Sequence, residues 1–204
     1  MLERLTGEPV GEILNPPATE AAVAEAEAVL GLRLPDDVRQ AYLWHDGANV
    51  STGVKWGNTG RYPRLMPPDF HWTSLDEMLR IWQHFRTMEA EDRADPSGMI
   101  NSLNNEGVSE GDPCRQLPYD PKWTPVGQDI TGMIAHVDLR PSPWGVMGQL
   151  VEHNYDGHVV AAASFSACLS QVVDALEAGR YVCDRGEWVS TRTNDSPWSL
   201  ADLR

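Results

Sequence analysis

Apolar residues recur every three or four positions in four stretches of the chain, and each stretch is closed by residues that stop helices. Val23, Ala26 and Leu30 share one face of a helix that Thr19 can N-cap, with Glu20 in its first turn and Gly31 placed for a left-handed C-terminal residue. Pro35 or Asp36 opens a second helix through Trp44, with Val38, Ala41 and Tyr42 on one face and Asp46-Gly47 as its stop. Ser74 to Glu77 is a capping-box pattern, and Leu75, Met78, Leu79, Trp82 and Phe85 continue it as an amphipathic helix. Leu169, Val172, Val173 and Leu176 lie at i, i+3, i+4 and i+7, the strongest periodicity in the chain, behind a Ser164 or Ser166 cap and ahead of Gly179.

Between the third and fourth helices the period shortens towards two. Met133 to Leu139 predicts a strand stopped by Arg140-Pro141-Ser142-Pro143. Gly148 to His153 and Val159 to Ala163 predict two more, joined by the turn Tyr155 to His158, and Tyr181 to Val189 a last hairpin around Arg185-Gly186. Strands joined by short turns are expected to pair antiparallel. Gly47 to Asp69 reads as loop with a short strand or two. Residues 93–116 are polar, rich in Gly and Pro, and without apolar period; they predict a long loop or insertion. The expected organisation is an irregular lead-in over residues 1–18, a single α+β domain over 19–189 with a mainly antiparallel sheet flanked by helices, and a tail over 190–204.

Composition narrows the function. Hydrophobic residues make up 41% and charged residues 23%, which fits a globular domain. The net charge of −14 repels phosphate backbones and disfavours nucleic-acid binding, while it would steer a basic partner. Three cysteines, Cys114, Cys168 and Cys183, argue against a disulfide framework and for a reducing compartment. The start of the chain carries acids and lacks an apolar signal core, and no run has the length to cross a bilayer, so the expected location is the cytoplasm. Lysine occurs only at Lys55 and Lys122, against fourteen arginines, a bias that points to a GC-rich, bacterial genome.

Several of these stretches, in order, resemble the SUKH superfamily, which includes fungal cell-wall assembly regulators and bacterial toxin-immunity proteins. The resemblance is carried by Glu27, Leu30-Gly31, Leu34-Pro35 and Asp46-Gly47. It continues through Trp123-Thr124-Pro125-Val126, Val137-Asp138-Leu139, Gly148-Gln149-Leu150-Val151 and Ala163-Ser164-Phe165, and ends at Glu177 to Tyr181. It departs at His45-Asp46, where asparagine is commoner before the glycine, and at the long 93–116 stretch. The resemblance implies an α+β fold and a protein-binding role, either toxin neutralisation or regulation of cell-wall synthesis.

Candidate chemistry is sparse. His136 and Asp138 lie two apart in a strand, with His153 and His158 in the neighbouring hairpin, and together they approximate a His/carboxylate metal set without any local spacing that enforces one. Ser164 lies outside a nucleophile elbow and reads as a helix cap; Cys168 sits next to the apolar stripe and reads as core. No phosphate-binding glycine pattern occurs. No metal, cofactor or catalytic residue is therefore assigned. Trp44, Asp46, Asp138 and Trp144 are the candidate contact residues, because tryptophans ringed by acids can anchor a protein interface; the alternative packs both rings onto the core. The leading expectation is a non-enzymatic immunity-type module that binds a basic toxin domain. The alternatives are a regulatory scaffold of cell-wall synthesis and a small metal-dependent hydrolase using His136, Asp138 and His153.

Overall fold

A computed structural model describes residues 10–49, 70–103, 107–129, 132–154, 157–184 and 187–192. Most of the 47–69 loop, the turn residues 155–156 and 185–186 and the tail from 193, including Trp198, lie outside them. Among the described residues the elements run α1 (Val10–Ile13), α2 (Glu20–Leu30), α3 (Asp36–Trp44), β1 (His71–Trp72), α4 (Leu75–Ala94), α5 (Met99–Ser102), β2 (Trp123–Gln128), β3 (Ile134–Asp138), β4 (Gln149–Asn154), β5 (Gly157–Ala162), α6 (Phe165–Glu177), β6 (Tyr181–Asp184) and β7 (Glu187–Ser190).

The helices start where their caps dictate. Thr19 Oγ1 accepts from Ala22 N, and Gly31 adopts φ 64° behind Leu30. Ser74 and Glu77 form a reciprocal capping box at the head of α4, and Ser164 accepts from Ala167 N at the head of α6. The sheet order is β1-β2-β3-β4-β5, every pair antiparallel, and β6 and β7 make a separate hairpin. The fold is thus α+β, built on a meander.

The apolar face of the sheet, with Val126, Ala135, Val137, Leu150 and Ala161, packs on Val23, Leu30, Val38, Tyr42, Met78, Phe165 and Cys168 from the helices. Residues 10–18 belong to this body and are not a lead-in outside it. Ile13 and Leu14 are buried in the core, and the Asn15 side-chain amide donates to the carbonyls of Asp46 and Ala48 at 2.7 and 3.0 Å.

The stretch expected as a loop over 93–116 holds the end of α4 and the short α5 and is otherwise irregular among the described residues. α4 runs on to Ala94, and the Asp92 carboxylate accepts from Met99 N (2.9 Å) and Ile100 N (2.7 Å) to start α5. Residues 107–122 then form a strap over the opposite face of the sheet. Cys114, Leu117 and Asp120 are buried in it, and the Gln116 side chain pairs with the backbone of edge residue His158, accepting from its N at 3.2 Å and donating to its O at 3.4 Å. Covering that second face buries its polar residues as well: His136, Asp138, Gln149 and His158 are all buried.

Candidate protein-interaction site

The corner between α2 and α3 places the start of the site. Glu27, one turn before the end of α2, reaches past Gly31: its Oε1 accepts from Leu34 N at 2.9 Å and its Oε2 pairs with Arg39 at 2.6 Å. One carboxylate thus satisfies the backbone of the Leu34-Pro35 turn and ties α3 to α2. At the far end of α3, Asp46 Oδ1 accepts from Leu75 N at 2.8 Å, at the positive end of α4. Gly47 has φ 72°, and a Cβ there would lie 2.6 Å from the Thr73 carbonyl and Ser74 N.

The loop between β3 and β4, residues 139–148, crosses next to Pro35; Gly148 has φ 84° and its Cβ position is 3.7 Å from the Pro35 ring. Nearly every backbone direction in the loop is fixed. Asp138 Oδ1 accepts from Arg140 N (2.9 Å), and Gly148 N donates to Asp138 O (2.8 Å). Gln149 is buried and donates to Asp138 Oδ2 (3.1 Å) and Pro113 O (3.0 Å), while its Oε1 accepts from Val146 N (3.0 Å). Ser142 Oγ donates to Asp112 O and accepts from Trp144 N at 3.2 Å. Arg140 is held by Asp120 at 2.6 Å.

This frame presents apolar side chains to water. Trp144 is 49% exposed, Val146 59% and Met147 66%. Three large apolar residues within four positions, on a backbone fixed from both sides, form a preorganised prong. Two acids adjoin the residues that support it: Asp36 follows Pro35, which lies against Gly148, and Asp112 accepts from Ser142 through its backbone carbonyl.

Of the four candidate contact residues, the structure exposes two. Trp144 is on the prong. Trp44 is also 59% exposed, its ring edge-on to His45 at 4.7 Å, but it ends α3, about 13 Å along the helix axis from Pro35. Asp46 is half-buried and caps α4. Asp138 is buried, its carboxyl raised above its ordinary value by desolvation, and it holds the loop from within. The structure adds the exposed Val146 and Met147 to the candidate surface, which sequence reading missed. Their signal was available: two unbranched or branched apolar side chains inside a Pro/Gly turn have no helix or strand to bury them.

The other candidates resolve into structure. Ser164 caps α6. Burial pushes the thiols of Cys114 and Cys168 up to about 12, which leaves them protonated and poorly nucleophilic. His136, His153 and His158 do gather on the strap side of the sheet, yet among the described residues no group of three or more His, Cys, Asp or Glu converges on a metal position. Among those residues, too, no helix is long and apolar enough to cross a membrane.

Fold and site together define an antiparallel α+β domain with a glutamate-clamped helix corner and a rigid apolar surface loop. This chain belongs to the SMI1 / KNR4 family (SUKH-1), matched over residues 17–171. It is 26% identical to a glucan synthesis regulatory protein of Neurospora crassa over 88% of this chain and 38% of that protein. It is 28% identical to the cell wall biosynthesis/cell cycle regulator smi1 of Schizosaccharomyces pombe over 91% of this chain and 37% of the relative. A KNR4/SMI1 homolog 2 of Debaryomyces hansenii is 26% identical over 95% and 37%. The chain therefore spans under two fifths of the length of these curated relatives. All three are fungal, and none bears on the bacterial origin that the arginine excess suggested.

Proposed function

We propose that this chain is a non-enzymatic protein-binding module with a regulatory role, and that the β3–β4 loop anchors its partner. The observation that carries the reading is the exposure of Trp144, Val146 and Met147 on a loop whose backbone has almost no freedom. Large apolar groups held in water cost solubility, and an ordered loop built to present them is what an interface anchor requires. Burying the three in a partner is worth on the order of 4–8 kcal/mol before association costs. Exposed apolar side chains of this size call for an apolar pocket on the partner. The net charge of −14 favours a pocket rimmed by Lys and Arg. The names of the fungal relatives favour a component of cell-wall or glucan synthesis as that partner.

Immunity is the second reading, and the same charge favours it: a basic toxin domain would be steered to the same acidic surface. Both readings share one test. Proteins retained from a lysate of the source organism are compared between the native chain and the double variant Trp144→Ser/Met147→Ser, which leaves net charge unchanged. The expected result is a protein retained by the native chain only. A wall-synthesis component supports regulation, and a toxin domain supports immunity. Identical retention by both forms removes the prong from the binding surface.

A further inference from the structure

Beneath the strap, three histidines share one patch of the sheet. His158 and His153 are cross-strand neighbours on β5 and β4 with ring centroids 4.3 Å apart, and His136 on β3 lies 5.8 Å from His158. Trp123 on β2 stacks on His136 at 4.4 Å and 25°, and lies 4.6 Å from His158. His158 Nε2 lies 2.6 Å from Leu117 O. A carbonyl only accepts, so Nε2 carries the proton and Nδ1 is the bare nitrogen. That Nδ1 is buried without a hydrogen-bond partner, and so is His136 Nε2. A second proton on His158 must land on Nδ1, where no acceptor waits for it. Trp123 offers an imidazolium its π face but no acceptor.

We infer that these histidines form an acid-sensitive latch: neutral, they let the strap close over the sheet; protonated, they release it and, with it, the prong. The strap is the shared element. Its Leu117 and Gln116 are held at His158, and its Asp112 and Pro113 hold Ser142 and Gln149 under the prong. The charged and titratable groups that face the cluster are few. Asp112 of the strap favours a positive His158, whereas His153 opposes it, and His136 is opposed by both other rings. Asp138 lies two residues from His136 on the same face, opposite Trp123, and its carboxylate accepts from Arg140 N and Gln149 Nε2; Arg140 pairs with Asp120, and Cys114 is protonated.

The sign follows from burial. Desolvation lowers His158 from 6.5 to about 4, and lowers His136 and His153 in the same direction. The closed form therefore binds fewer protons than a released form with ordinary histidines. Above pH 6.5 the two forms bind alike; as pH falls below 6.5 towards 4, closure is progressively lost. Through His158 alone, the released form gains about 30-fold on the closed one between pH 7.5 and pH 5. The effect on partner binding rests on the reading of the prong given above; the latch itself does not.

Hydrogen exchange on the intact chain at pH 7.5 and pH 5.0, corrected for intrinsic exchange, tests it. Residues 107–120 are expected to lose protection about 30-fold or more at pH 5.0 while α4 and α6 keep theirs. His136→Phe/His158→Gln keeps a ring on Trp123 and a donor towards Leu117, and is expected to abolish the change. Unchanged strap protection in the native chain, the same pH response in the variant, or a uniform loss across all elements would each overturn the latch. Should the variant fail to fold, the native chain still decides: in imidazole proton NMR, at least two of the six rings should stay neutral at pH 5.5, and six rings titrating together near 6.5 would sink the idea. A pH response alongside retained binding by the Trp144/Met147 variant removes the contact reading alone. Lost binding in that variant without a pH response removes the latch alone.

Discussion

Gly145 separates Trp144 from Val146, and the reason it must be glycine is steric. A Cβ there would lie 2.2 Å from Pro113 O and 2.7 Å from the Pro141 Cβ, so neither backbone nor ring could yield cheaply. Gly145→Ala should force the strap away from the prong and destabilise the chain by about 1–3 kcal/mol, whereas Trp144→Ser, at an exposed side chain, should change stability little. Thermal melts of the two variants check both halves; equal melting temperatures would show that the strap contact holds nothing. Glu27 is the counterpart on the other side of the loop. The family resemblance marked it as a signature position, but its work is visible only in space: Leu34 N lies seven residues on and Arg39 twelve. Single residues of this kind are legible as unusual and illegible as to partner, because sequence records spacing along the chain and not direction.

Helix ends were the most legible elements, since a cap is chemistry between residues three apart. Ser74 with Glu77 is the clearest: each side chain reaches the other's backbone, Ser74 N donating to Glu77 Oε2 at 3.0 Å and Glu77 N to Ser74 Oγ at 3.2 Å. Ser74→Ala should cost about 1 kcal/mol, read as a shift of the urea midpoint with unchanged slope, because one donor is orphaned without exposing the core. An altered slope would mean that α4 frays as a unit. The strap was illegible for the opposite reason. Gln116 meets His158 across 42 residues and Gln149 meets Pro113 across 36, and neither contact leaves a period. Alternation in β3 and β4 signals one apolar face and one polar face, and a polar face reads as solvated. Here that face is buried by polar, aperiodic chain that satisfies it hydrogen bond by hydrogen bond. The same blindness hid Asp138, whose acidity suggested a surface role and whose place beneath Gln149 gives it a structural one.

Charge belongs to the molecule as a whole. Thirty acids against sixteen bases surround the domain with a negative field, and no single pair of residues carries it. The prong, by contrast, carries no charge at all. The two features should act on different steps of association. If the proposed contact holds, the field would draw a basic partner inwards and raise the encounter rate, and burial of Trp144, Val146 and Met147 would set how long the complex lasts. At an ionic strength of 0.5 M the screening length falls to about 4 Å, shorter than the approach distance over which steering acts. The association rate with the captured partner should therefore fall about tenfold or more between 0.05 and 0.5 M salt, while the dissociation rate changes less than threefold. Trp144→Ser/Met147→Ser should do the reverse, speeding dissociation and leaving the salt dependence of association intact. Surface plasmon resonance at several salt concentrations separates the two. An association rate indifferent to salt would mean that the acidic surface only keeps the protein in solution, and that recognition rests on the prong alone.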